Sequence, residues 1–121
     1  MAFMGSNKGG EHGIISLRKY RGGTENPSVT SIGSVYAYNA GTAKTLTKAI
    51  SAASYKLITV TTQGSNSTTF TGTAPTNLGG AISTDNEPKT RIYKINGDCT
   101  IKYTGKSSAA YQCCKVYGIT W

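Results

Sequence analysis

The chain holds few side chains suited to acid–base, metal or thiol chemistry: one histidine (His12), five acids (Glu11, Glu25, Asp85, Glu87 and Asp98) and three cysteines (Cys99, Cys113 and Cys114). A general base must be held within hydrogen-bond reach of the proton it takes. His12 falls in Met1–Gly13 (MAFMGSNKGGEHG), a Gly-rich polar stretch with no hydrophobic period to hold it. Asp85 and Glu87 are close neighbours, but Asp85-Asn86-Glu87-Pro88 has the composition of a turn. A search for GxSxG, HExxH, a Walker loop or a dinucleotide-binding pattern finds none in the chain. The expectation is a protein that is not an enzyme, with no catalytic residue to assign.

The cysteines invite a metal or a disulfide and support neither. With His12 they make a Cys3His set in number, yet their spacing fits no finger or knuckle. Adjacent residues of a strand face opposite ways, so Cys113 and Cys114 would not reach one ion. An odd count argues against a disulfide scaffold, and a vicinal disulfide strains the peptide between its cysteines. Three reduced thiols, no metal and no other cofactor are expected, as suits a protein made in a reducing cytosol.

Binding chemistry is better represented. Thirteen Lys and Arg against five Asp and Glu give a formal charge of +8, enough to steer a chain toward an acidic protein, an anionic surface or nucleic acid. Apart from Arg18-Lys19-Tyr20-Arg21 the cations are dispersed, which favours a general field over a nucleic-acid site. Eight residues are Tyr. Exposed tyrosines near Lys or Asn can stack on sugars or line interfaces, and Tyr36 and Tyr38, with Asn66 and Asn77 from Thr- and Asn-rich loops, are candidate glycan or partner contacts. Tyrosines that cover the core with the hydroxyl at the surface are the plainer alternative.

The elements that must position these residues read as strands. Thr, Ser, Val, Ile and Tyr suit a pleated, half-buried surface, and the 15 glycines suit the turns between strands. Ile14–Tyr20 (IISLRKY) has strand character and is followed by a linker, Arg21–Pro27. Val29–Tyr38 is β-branched and aromatic, with Gly33 a candidate bulge. Thr42–Ala53 fits a helical stripe and a strand alternation alike, with three threonines tilting it to strand. Tyr55–Thr62 (YKLITVTT) is the clearest strand, and Gln63–Asn66 reads as a hairpin loop leading to a strand around Thr68–Thr71. Gly72–Gly80 reads as a loop. Thr90–Ile95 and Asp98–Thr104 flank Asn96-Gly97, a hairpin signal. Tyr111–Trp121 alternates, and its aromatic side (Tyr111, Tyr117, Trp121) is expected to face the core.

Seven to nine strands with turns every 8 to 12 residues predict an all-β chain, an antiparallel β-sandwich or a jelly-roll-like barrel. The expected division is a flexible basic N-terminal arm with a short docking strand over 1–23 and a β-sandwich domain over 24–121. Within the arm Ile14, Ile15, Leu17, Arg18, Lys19, Tyr20 and Arg21 are the candidate subunit-docking residues. No apolar stretch approaches the roughly 18 residues a membrane span needs, and Met1–Gly13 has no secretory-signal character.

A Gly-rich basic arm followed by a Thr/Ser/Gly-rich β domain, with YKLITVTTQGSNSTTF at its centre, resembles bacteriophage virion structural proteins. The likeness is to decoration proteins, head-fibre subunits and tail-tip domains, in composition and strand rhythm. It implies a sandwich or jelly roll assembling as a homo-oligomer such as a trimer, with other virion proteins as partners. It also implies a location in the virion after synthesis in the host cytoplasm, and for tip proteins host attachment. A glycan-binding sandwich and a pilin-like appendage subunit are the alternatives. Nucleic acid is a less favoured partner, and no membrane is expected.

Overall fold

The computed structural model describes residues 26–39 and 41–121. Those residues form eight strands and no helix: β1 (Ser28–Ala37), β2 (Thr45–Ile50), β3 (Leu57–Gln63), β4 (Asn66–Gly72), β5 (Thr76–Gly79), β6 (Lys89–Lys94), β7 (Cys99–Gly105) and β8 (Gln112–Thr120). They build two antiparallel sheets, β1-β8-β3-β6-β5 and β2-β7-β4. The fold is the expected all-β sandwich. The arm and its residues Ile14–Arg21 lie outside the described residues.

Period-2 alternation fixes what each strand buries. In β3, Ile58, Val60 and Thr62 are buried while Leu57, Thr59, Thr61 and Gln63 are only partly covered. From the five-stranded sheet Ile58, Val60, Tyr93, Cys114 and Val116 enter the core; from the three-stranded sheet Leu46, Ile50, Cys99, Ile101 and Tyr103 meet them. Ile32 and Val35 of β1 and Phe70 of β4 close the margins. Burying such side chains contributes about 1.5–3 kcal/mol each. Thr42–Ala53 resolves as strand β2 followed by a turn in which the N–H groups of Ser54 and Tyr55 donate to Ser51 O. The bulge expected in β1 is present, with the register on β8 slipping between Ser31 and Gly33.

The pairings depart from the sequence expectation. Neither Gln63–Asn66 nor Asn96-Gly97 closes a hairpin: β3 and β6 lie in one sheet while β4 and β7 lie in the other. Of seven consecutive strand pairs only β5–β6 are hydrogen-bonded neighbours. A two-residue type I′ hairpin needs φ > 0 at both central residues. Positive φ among the described glycines occurs at Gly64, Gly72, Gly79 and Gly80, not at Gly97. Asn96 instead spends its amide on the start of β5, donating from Nδ2 to Ala74 O (3.1 Å) and Thr76 Oγ1 (2.9 Å). Gly64, at φ 82°, turns the chain from one sheet to the other in a space where a Cβ would strike the carbonyl of Tyr111.

Two further corrections follow from packing. Gly72–Gly80 is not all loop, because Thr76–Gly79 adds β5 to the edge of β6. In β8 the core side is Gln112, Cys114, Val116 and Gly118, and the aromatic side faces out, with Tyr117 38% and Trp121 40% exposed. Gly118 decides this: the Tyr55 ring lies where its Cβ would be, 2.3 Å away at Cδ1. Gln112 is buried because it works as backbone. Its Oε1 accepts from Lys44 N–H (2.8 Å) and its Nε2 donates to Thr42 O (3.3 Å), tying the approach to β2 onto β8.

Candidate functional site

The inverted face of β8 turns the outside of the five-stranded sheet into a four-row surface, read from the cross-strand register. Tyr36, Cys113 and Gln63 form the first row, and Ser34, Lys115, Thr61 and Thr90 the second. Ser31, Tyr117, Thr59 and Ile92 form the third; Val29, Ile119, Leu57 and Lys94 form the fourth. The first two rows are polar and aromatic, the last two largely apolar. By contrast, the outside of the three-stranded sheet carries Thr45, Thr47, Thr69, Thr71, Thr100 and Thr104 around Lys102, a surface water covers at no cost.

At the first-row end the sheet holds a cleft of about 500 Å³ lined by Tyr36, Thr61, Gln63, Pro88, Cys113 and Lys115. Tyr36 and Tyr38, two residues apart, share a face. Their rings meet edge to face at 4.8 Å, and Tyr111 extends the cluster at 6.1 Å from Tyr38. Both rings remain exposed, Tyr36 48% and Tyr38 64%. The neighbouring Tyr38 hydroxyl and, with smaller contributions, desolvation and nearby groups push the Tyr36 phenol up to about 12. The far wall is the 84–88 loop. Gln63 Nε2 donates to Asn86 O. Asp85 fixes the turn by accepting from Glu87 N–H (3.0 Å) and from the Ser83 hydroxyl (3.0 Å). These bonds hold its carboxyl below the usual range, the Glu87 N–H most of all.

At the fourth-row end a second hollow of about 340 Å³ is lined by Tyr55, Leu57, Ile95, Lys94 and Trp121, among others, with Lys56 Nζ 5.2 Å over the indole ring.

The structure brings Tyr36 and Tyr38 together and separates the two asparagines from them. Asn66 is occupied internally, donating to Gly64 O (2.8 Å) and Ser83 O (2.7 Å) and accepting from Thr68 Oγ1 (2.9 Å). Asn77 lies on β5 at the opposite edge of the sheet, accepting from Gly79 N–H. Residues Ile14–Arg21 fall outside the described residues. Tyr111 and Lys115 join Tyr36 only through the β1–β8 pairing, which nothing local in the sequence announces.

Among the described residues no three of His, Cys, Asp and Glu converge on a metal-sized site. Cys99, Cys113 and Cys114 are free and buried. Burial raises all three thiols, Cys114 to about 12, which withholds the reactive thiolate. Asp98 accepts from Ala52 N–H (2.9 Å) and serves a turn. No helix among the described residues is long and apolar enough to cross a membrane.

No family model, curated protein or solved structure matches the chain. What it does must be argued from this surface.

Proposed function

We propose that the chain is a non-enzymatic structural subunit of a virus particle, of the capsid-decoration, head-fibre or tail type, that works by docking on copies of itself. The supporting observation is the apolar half of the outer sheet face: Val29 is 64% exposed, Ile92 40% and Tyr117 38%. Five strands about 4.8 Å apart and some seven residues long present a face of roughly 500 Å², so its apolar half covers about 250 Å². An exposed apolar patch of a few hundred Å² is the kind of surface that is often functional on a lone domain.

The same figure bears on how the subunit docks. A stable interface takes about 800 Å² from each partner, so this face alone gives a weak, reversible contact. In this proposal the N-terminal residues 1–23, with Ile14, Ile15, Leu17 and Tyr20 as apolar contacts and Arg18, Lys19 and Arg21 as cationic ones, supply the rest by adding to a neighbour's sheet edge. β1, β5, β2 and β4 end the two sheets and offer such edges. The virion setting is supported by the composition and strand rhythm described above.

Electron microscopy of the native assembly, with the full chain and with residues 1–23 deleted, tests the proposal. Ordered copies in a particle, lost on deletion, are expected. A protein dispersed outside any particle overturns it.

A further inference from the structure

We propose that the cleft between Tyr36, Lys115 and Pro88 is a binding site for an acidic saccharide, a uronate- or sialate-bearing glycan, separate from the apolar docking face. A pyranose ring presents an apolar C–H face and a rim of hydroxyls, and it needs an aromatic surface beside hydrogen-bonding groups. The cleft supplies both. Tyr36 offers an exposed ring in the lining, and its 4.8 Å edge-to-face contact with Tyr38, itself 6.1 Å from Tyr111, supports that ring from the side. Thr61 and Gln63 line the opposite side, with Pro88 closing the wall. The volume of about 500 Å³ falls within the span of small-ligand sites and suits one or two sugar rings.

Charge selects among saccharides. Lys115 is the one charged side chain lining the cleft. Its Cα partners are Ser34 on β1 and Thr61 on β3, so no carboxylate stands beside it across either strand. The 84–88 loop brings Asp85 and Glu87 near the rim, but neither lines the cleft, and the Asp85 carboxylate is turned to the Glu87 N–H and the Ser83 hydroxyl. A ligand carboxylate therefore finds one cation, Lys115, in the lining itself, with the two acids of the 84–88 loop at the rim and outside the lining. A proline-rich peptide, the other partner that aromatic grooves take, has no use for that cation.

The test is saturation-transfer NMR and titration of the full chain with a glucuronate-containing tetrasaccharide and with its methyl ester. The acid should bind and the ester should bind at least about tenfold more weakly, as expected for loss of a charge-assisted hydrogen bond. Tyr36→Ala should abolish transfer to the sugar ring protons. Lys115→Gln should bring acid and ester to the same affinity. Lys102→Gln removes the same charge from the opposite side of the sandwich and should change nothing, which separates a site from the pull of a +8 chain on any polyanion. Tyr117→Ser, on the docking rows, should also leave sugar binding intact, so failure of self-docking and failure of the cleft read out separately. Acid binding that survives Tyr36→Ala, an equal response to Lys102→Gln, or binding of a proline-rich peptide with no response to either saccharide overturns the proposal.

Discussion

Gly118→Ala tests which face of β8 meets the core, and with it the exposed surface on which both proposals stand. The new Cβ would lie 2.3 Å from Tyr55 Cδ1 and 2.5 Å from Cε1, far inside contact distance. Tyr55 packs on the core as a partly buried residue, so the ring must leave. If it uncovers about 100 Å² of apolar surface, the loss at 25 cal/mol per Å² is about 2.5 kcal/mol. In a chain of 121 residues that lowers Tm by about 10 °C, easily read by circular dichroism. Tyr117→Ser, one position away and facing water, should cost less than about 1 kcal/mol. In the Tyr55→Ala background most of the Gly118→Ala penalty should disappear, giving a coupling energy of about 1–2 kcal/mol. A harmless Gly118→Ala beside a costly Tyr117→Ser would mean that the aromatic side of β8 is the core side and that the surface described here does not exist.

Other consequences follow from single groups. The Tyr103 hydroxyl is fully buried with no hydrogen-bond partner; burial pushes it to about 12, and the Cys113 backbone approaches it without hydrogen-bonding geometry. Tyr103→Phe should therefore be neutral or stabilise by up to about 1 kcal/mol in urea unfolding, and a loss above about 1.5 kcal/mol would reveal a bond not accounted for. The cysteines, with thiols raised by burial, should resist iodoacetamide in the native protein at pH 8 and all react in urea. Cys113, which lines the cleft, should be modified first, and mass spectrometry of tryptic peptides reads the order. Asp85 has a lowered pKa in the fold, so its contribution is full above the ordinary carboxylate value of about 3.9 and is lost as pH falls through the lowered one. Asp85→Asn should lower the urea midpoint at pH 7 and make no difference below that window; an equal effect at both ends would assign its role to shape rather than charge.

The strands were legible in the sequence and their partners were not. Ile58 and Val60 in YKLITVTT, the bulge at Gly33 and the alternation through β8 are local patterns, and local patterns survive folding. Pairing is a contest between turns and the core. Asn96-Gly97 has the composition of a hairpin, but β6 must keep Tyr93 and β7 must keep Ile101 and Tyr103 in a shared core from opposite sheets, and burial outweighs a turn preference. The face of β8 is not legible in the sequence because Tyr117 and Trp121 are larger than Cys114 and Val116, while the deciding residue, Gly118, has no side chain to show in a pattern. Tyr36 and Tyr38 could be found as aromatic neighbours on one strand, whereas Lys115, Gln63 and Pro88 reach them only through the sheet. Asn66 looked like a free loop amide and instead holds Gly64 and Ser83 in place.

Docking through the outer sheet face is tested most directly by sedimentation equilibrium of the full chain across salt, comparing wild type with the Tyr117→Ser/Ile92→Ser double variant. Copies that each carry a formal +8 repel, so apolar self-docking should tighten as salt rises from about 0.05 to 0.5 M and the Debye length shortens. The double variant, still folded by circular dichroism, should sediment as a monomer throughout. A wild-type chain that stays monomeric at every salt concentration, or a double variant that associates as well as wild type, would contradict the assignment.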